Sequence, residues 1–92
     1  MPRPKCRRCL RFRPLVKYFK PRGVPMWRLQ EVSLAADELE ALKLHDVDGL
    51  SHTAAAAKMK ISQPTFGRIL NKAYHKVAKA LVKGQAIKLQ QR

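Results

Sequence analysis

Apolar residues recur at spacings of three and four from Phe66 onward: Phe66, Ile69, Leu70, Ala73, Val77 and Leu81. That spacing predicts an α-helix with one apolar stripe. The stretch "ISQPTFGRILNK" fixes where it starts. Pro64 is costly inside a helix but loses nothing in the first turn, where its missing N–H has no intrahelical acceptor. With Ser62 as N-cap, the helix begins at Gln63 and runs to Lys83, and Gly84 ends it. Before it, "LSHTAAAAKMK" predicts a shorter helix from His52 to about Lys58 or Met59, capped by Ser51 and stapled by Leu50 onto Ala55. A three-residue turn around Lys60 joins the two.

Further upstream, "SLAADELEALKLHDVDG" turns helical from Leu34, with Asp37 and Glu38 near the start and Gly49 just past the end. Leu39, Leu42 and Val47 are its expected core side, and the acids its expected solvated face. The first 25 residues carry five prolines, which rules out a continuous helix there. An extended arm with short strands is expected instead, "LVKYF" (15–19) first and "CLRF" (9–12) second. "KPRG" (20–23) has turn chemistry, and Met26 and Trp27 are expected to anchor the arm. "AIKL" (86–89) is a candidate terminal strand, with the arm as its pairing partner.

The fold class expected is therefore mainly α: a three-helix helix-turn-helix domain over 34–92, with an extended basic N-terminal arm containing short strands over 1–33, together one compact unit. Ninety-two residues suffice for a modest core. No stretch reaches the roughly 20 apolar residues that cross a bilayer. No secretory signal is read at the N-terminus, and two cysteines suit a reducing cytoplasm.

Charge adds the function. The net charge is +14, from 20 Lys and Arg against six Asp and Glu. All six acids fall within 31–48, and no acid occurs in 1–30 or 49–92. Two cationic flanks around one acidic segment point to a polyanion, nucleic acid above all. A short helix, a turn and a longer helix with a basic outer face form the helix-turn-helix arrangement. Ala56 allows close crossing, and Phe66 and Ile69 pin the second helix to the first. Ser62, Gln63, Thr65, Arg68 and Asn71 then become candidate readers of base edges, since Gln and Asn pair bidentately with adenine and Arg with guanine. Gly67 leaves the backbone free to approach DNA. Lys58, Lys60, Lys72, Lys76 and Lys79 are candidate phosphate contacts, which add affinity without sequence information. Arg3, Lys5, Arg7 and Arg8 belong to an arm that reads either as a minor-groove segment or as a cationic tail on the backbone.

Four stretches, "MPRPK", "YFKPRGVP", "DELEALKLHDVDGLS" and "ISQPTFGRILNKAYHKVAKALVKGQAI", resemble a small prokaryotic family of largely uncharacterised predicted DNA-binding proteins. Their helix-turn-helix is similar to region 4 of bacterial sigma factors. The resemblance covers nearly the whole chain and implies a DNA-binding, regulatory role in transcription. Members typically carry acidic residues after the serine cap of the shorter helix and a glycine in the turn. Here Ala54 and Lys60 stand in those places, and both changes raise the positive charge.

Cys6 and Cys9 form a C-x-x-C pair, but a structural zinc site needs four ligands and no second pair exists. No metal or other cofactor is expected; a redox-sensitive or intersubunit metal pair is the alternative for these two thiols. His45, His52 and His75 lack metal-site spacing, and His52 and His75 read as exposed polar positions. No nucleophile–base pair or phosphate loop appears, so an enzyme is not expected. The expected partner is double-stranded DNA. An RNA- or ribosome-associated basic protein is the alternative reading. RNA polymerase, contacted through an acidic helix over 35–46, is a further candidate partner, and a two-fold operator would require a homodimer.

Overall fold

A computed structural model describes residues 17–25 and 28–90. In chain order the elements are β1 (Tyr18–Phe19), β2 (Glu31–Leu34), α1 (Ala36–Leu42), a π-helical turn (Lys43–Val47), α2 (His52–Met59), α3 (Gln63–Lys83) and β3 (Ala86–Leu89). Helix dominates, as expected, and a three-stranded sheet is added to it. The arm residues Arg3, Lys5, Arg7 and Arg8, the pair Cys6 and Cys9, the strand candidate at 9–12, and Met26 with Trp27 lie outside the described residues.

The helix ends follow from local chemistry. Ser62 has extended backbone (φ −72°, ψ 158°), and its side chain accepts a hydrogen bond from the Thr65 N–H. Pro64 therefore falls in the first turn, where no bond is lost. Ser51 caps α2 in the same way, accepting from the Ala54 N–H at 3.1 Å. At its other end α2 reverses through Lys60, whose backbone is left-handed (φ 60°, ψ 44°) and whose N–H points back to the carbonyls of Ala56 and Ala57. Gly84 does the same for α3 at φ 67°. Lysine has a Cβ that crowds its backbone in this conformation, and glycine does not. Lys60→Gly should therefore raise stability by about 0.5–1 kcal/mol, after allowing for glycine's larger unfolded-state entropy. Urea denaturation checks this, and an unchanged or lower midpoint would contradict it.

The sheet order is β1-β3-β2. β1 lies antiparallel to β3, with Tyr18 opposite Lys88 and Phe19 opposite Ile87. The strand expected at 86–89 thus pairs with the arm, as anticipated. β2 was not anticipated. It runs parallel to β3, from Glu31 opposite Ala86 to Leu34 opposite Leu89, and the three helices provide the long crossover that a parallel pair needs. Leu34 accordingly belongs to a strand, and the helix starts two residues later, at Ala36.

Two apolar clusters make the core. Ala41, Leu44, Ala55, Ala56, Met59, Phe66, Ile69 and Leu70 form the larger, between α1, α2 and α3. Leu34, Ala73 and Leu89 join α3 to the sheet. Leu42 packs against both. Ala56 of α2 and Phe66 of α3 are both buried in the larger cluster.

Three expectations about faces are corrected. Glu38 and Glu40 are buried, not solvated. Glu38 Oε1 accepts from the Ala35 N–H at 2.8 Å and from Lys76 Nζ at 2.8 Å. The carboxylate thus caps its own helix and pairs across to α3, and such partners are what allow a charge to be buried. Val47 is exposed, not a core residue. The π-helical turn bonds Asp48 N–H to the Lys43 carbonyl at 2.9 Å, and its extra residue rotates Val47 out of the apolar stripe. Leu81 is 74% exposed. It faces an open groove with Phe19, Pro21, Gly84 and Ile87, and no described element closes that side. Among the described residues, no helix is long and apolar enough to cross a membrane.

Candidate nucleic-acid interface

α3 buries Phe66, Ile69, Leu70, Ala73 and Ala80 and turns the opposite side outward. Helical periodicity puts Arg68, Asn71, Lys72, His75, Lys79 and Lys83 on that outer side, and all six are exposed. Arg68, Asn71, Lys72, His75 and Lys76 line one shallow groove. His75, Lys79 and Lys83 continue it toward the C-terminal end, beside Ala78 and Val82. Lys58 and Lys60 are exposed at the end of α2. A Cβ built on Gly67 would meet nothing within 4 Å, so the backbone there is open to approach.

The acids lie on other elements and each has a partner. Asp46 accepts from the Tyr74 hydroxyl at 2.9 and 2.8 Å, and Asp48 pairs with Lys43 at 2.9 Å. Glu31 accepts from the Tyr18 hydroxyl, and Glu38 holds Lys76. Asp37 and Glu40 have partners as well. Partial burial, and then the bond to Asp46, push the Tyr74 hydroxyl above the usual tyrosine range. The Tyr18 hydroxyl is raised chiefly by its hydrogen bond to Glu31. No acid lies on α3 itself, and its outer face is cationic.

The residues expected to read bases separate into two groups. Ser62 and Thr65 are occupied with each other: the Ser62 Oγ accepts from the Thr65 N–H at 3.2 Å and donates to Thr65 Oγ1 at 2.8 Å. Gln63 is exposed, and its Oε1 accepts from Thr53 Oγ1 of α2 at 3.3 Å. Arg68 and Asn71 project outward from the next turns. Of the lysines, Lys58, Lys60, Lys72 and Lys79 are exposed, whereas Lys76 is drawn inward. Its ammonium donates to the Ser33 carbonyl and to Glu38, each at 2.8 Å. Lys76 therefore ties α3 to α1 and β2 instead of extending into solvent.

His75 was not among the expected site residues, and its spacing of four from Asn71 and seven from Arg68 is the signal that would have found it. His52 does more than sit in solvent. Its ring packs edge-on to His45 at 4.6 Å and to Phe66 at 5.4 Å. His45 Nδ1 lies 2.7 Å from the Leu50 carbonyl, which joins the π-helical turn to the start of α2. Among the described residues, no three His, Cys, Asp or Glu side chains are placed to hold a metal ion.

Comparison with known proteins places the chain in a family. The chain is 54% identical over 87 residues to a UPF0251 protein of Desulforudis audaxviator, covering 95% of this chain and 56% of that one. It is 53% identical over 90 residues to a UPF0251 protein of Moorella thermoacetica, covering 98% and 60%. A UPF0251 protein of Thermoanaerobacter pseudethanolicus is 52% identical over 90 residues, covering 98% and 76%. The chain thus spans less than two thirds of the length of the first two relatives. No solved structure matches it. The family model described as "Protein of unknown function DUF134" matches residues 1–91, and the chain belongs to that family.

Proposed function

We propose that this chain binds double-stranded DNA sequence-specifically, as a regulator of transcription, with α2 and α3 acting as a helix-turn-helix and α3 lying in the major groove. One observation carries the reading. α2 and α3 are locked together by the reversal at Lys60, and the exposed side of α3 carries Arg68, Asn71, Lys72 and Lys79 with no acid between them. Arg68 and Asn71 have the donor and acceptor groups that base edges in the major groove require. Lys58, Lys60, Lys72, Lys79 and Lys83 provide the phosphate contacts. The likeness to sigma factor region 4 belongs to the same reading, and a two-fold operator would bring two copies together.

The RNA reading needs aromatic platforms on which unpaired bases stack. The outer side of α3 offers few: Phe66 is fully buried, which leaves the exposed ring of His75 and that of Tyr74, whose hydroxyl bonds Asp46. Duplex DNA should therefore outcompete structured RNA for the protein at moderate salt. Arg68→Ala should weaken binding to a selected site by about 1–3 kcal/mol and relax preference at one base pair. Equal losses on selected and random DNA would remove Arg68 from base reading, and a clear preference for RNA would overturn the DNA assignment.

A further inference from the structure

We propose that Thr53, on α2, positions Gln63 to read an adenine, so that base recognition depends on both helices; this inference rests on the DNA-binding reading above. The polar groups at the start of α3 differ in what they have left to offer. The Ser62 hydroxyl is used twice, as acceptor for the Thr65 N–H and as donor to Thr65 Oγ1. Both residues are thereby turned toward the helix cap. Gln63, the first residue of α3, is exposed and carries the nearest carboxamide to that end.

A glutamine on a surface samples many rotamers, and a reader that must be ordered on binding gains less from each contact. Here the ordering is built in. Thr53 Oγ1 donates to Gln63 Oε1 across the gap between the helices, at 3.3 Å. Thr53 is itself held. It is the second residue of α2, directly before the Ala54 N–H that Ser51 caps, and its β-branched side chain has few χ1 choices.

The donor count then identifies the base. A carboxamide oxygen has two lone pairs, and its nitrogen has two hydrogens. Thr53 occupies one lone pair. One lone pair and both N–H groups remain, which is the set that pairs bidentately with adenine in the major groove, accepting from N6 and donating to N7.

The test uses the full chain and duplexes selected from a randomised pool. Wild type, Thr53→Val, Thr53→Ser and Gln63→Ala are measured on the best duplex and on every single base-pair replacement of it. Thr53→Val keeps the shape and removes the hydroxyl. It should reduce discrimination about fivefold at a single A·T pair, the same pair affected by Gln63→Ala, while affinity for random DNA and the melting temperature stay unchanged. Thr53→Ser should restore the preference, and adding Thr53→Val to Gln63→Ala should cause no further loss at that pair. If wild type discriminates and Thr53→Val discriminates equally, or loses preference at a different pair, the positioning role is overturned and the DNA reading stands. If wild type shows no base preference at all, the sequence-specific reading falls and the Thr53 role falls with it.

Discussion

Phe66→Ala should cost about 3–5 kcal/mol of stability, the penalty of deleting a large, fully buried aromatic side chain. Phe66 is fully buried and heads the largest side chains in the core. It sits where α1, α2 and α3 meet, packed with Ala41, Leu44, Ala55, Met59 and Leu70. The rings of His52 and His45 lie at 5.4 and 6.5 Å from it, each edge-on. The void left by alanine is walled on several sides by helices that are themselves pinned, so it collapses poorly. A domain of this size holds only about 5–15 kcal/mol in total. The variant should therefore lose a large share of that stability and show a much lower urea midpoint. Leu81→Ala is the natural control, because Leu81 is 74% exposed and its truncation should change stability by less than about 0.5 kcal/mol. Equal losses for the two variants would mean that α3 presents a different face to the core.

Salt should have the second large effect. Lys58, Lys60, Lys72, Lys79 and Lys83 are exposed and none is paired with a carboxylate among the described residues. Each phosphate contact releases condensed counterions and adds about −0.9 to the slope of log affinity against log salt. Five contacts give a slope of about −4.5, so raising salt from about 50 to 200 mM should weaken binding roughly 500-fold. Lys79→Ala should lower the slope by about one and weaken all sequences alike. Lys76→Ala is expected to behave differently, because its ammonium serves Glu38 and Ser33 inside the fold. A slope near zero would remove the phosphate contacts, and with them the electrostatic basis of the proposed function.

Much of the helical part was legible because its signals are local. Ser62 with Pro64 marks one end of α3 and Gly84 the other, and period-3.6 spacing joins them. Ser51 and Lys60 bracket α2 in the same way. What escaped depends on residues far apart. Glu31–Leu34 becomes a strand because Ala86–Leu89 lies alongside it, and nothing in "EVSL" announces that partner. Glu38 reads as a surface acid until Lys76 is brought to it from α3. Val47 fits an α-helical stripe and loses its place only because one turn is π-helical. The candidate site divides along the same line. Arg68 and Asn71 follow from spacing on one helix, whereas the bond from Thr53 to Gln63 spans two helices and needs their crossing to be known.

The central place of β3 bears on how the chain is made. β1 and β2 each pair with β3 and not with each other. As the polypeptide leaves the ribosome, Tyr18–Phe19 and Glu31–Leu34 thus wait without ladder partners until residues 86–89 appear, while the contacts of α2 with α3 can already form. Unpaired strands are templates for joining other chains. The strands are short, and Lys17, Lys20 and Arg22 flank β1, both features that disfavour pairing of an open strand with another chain.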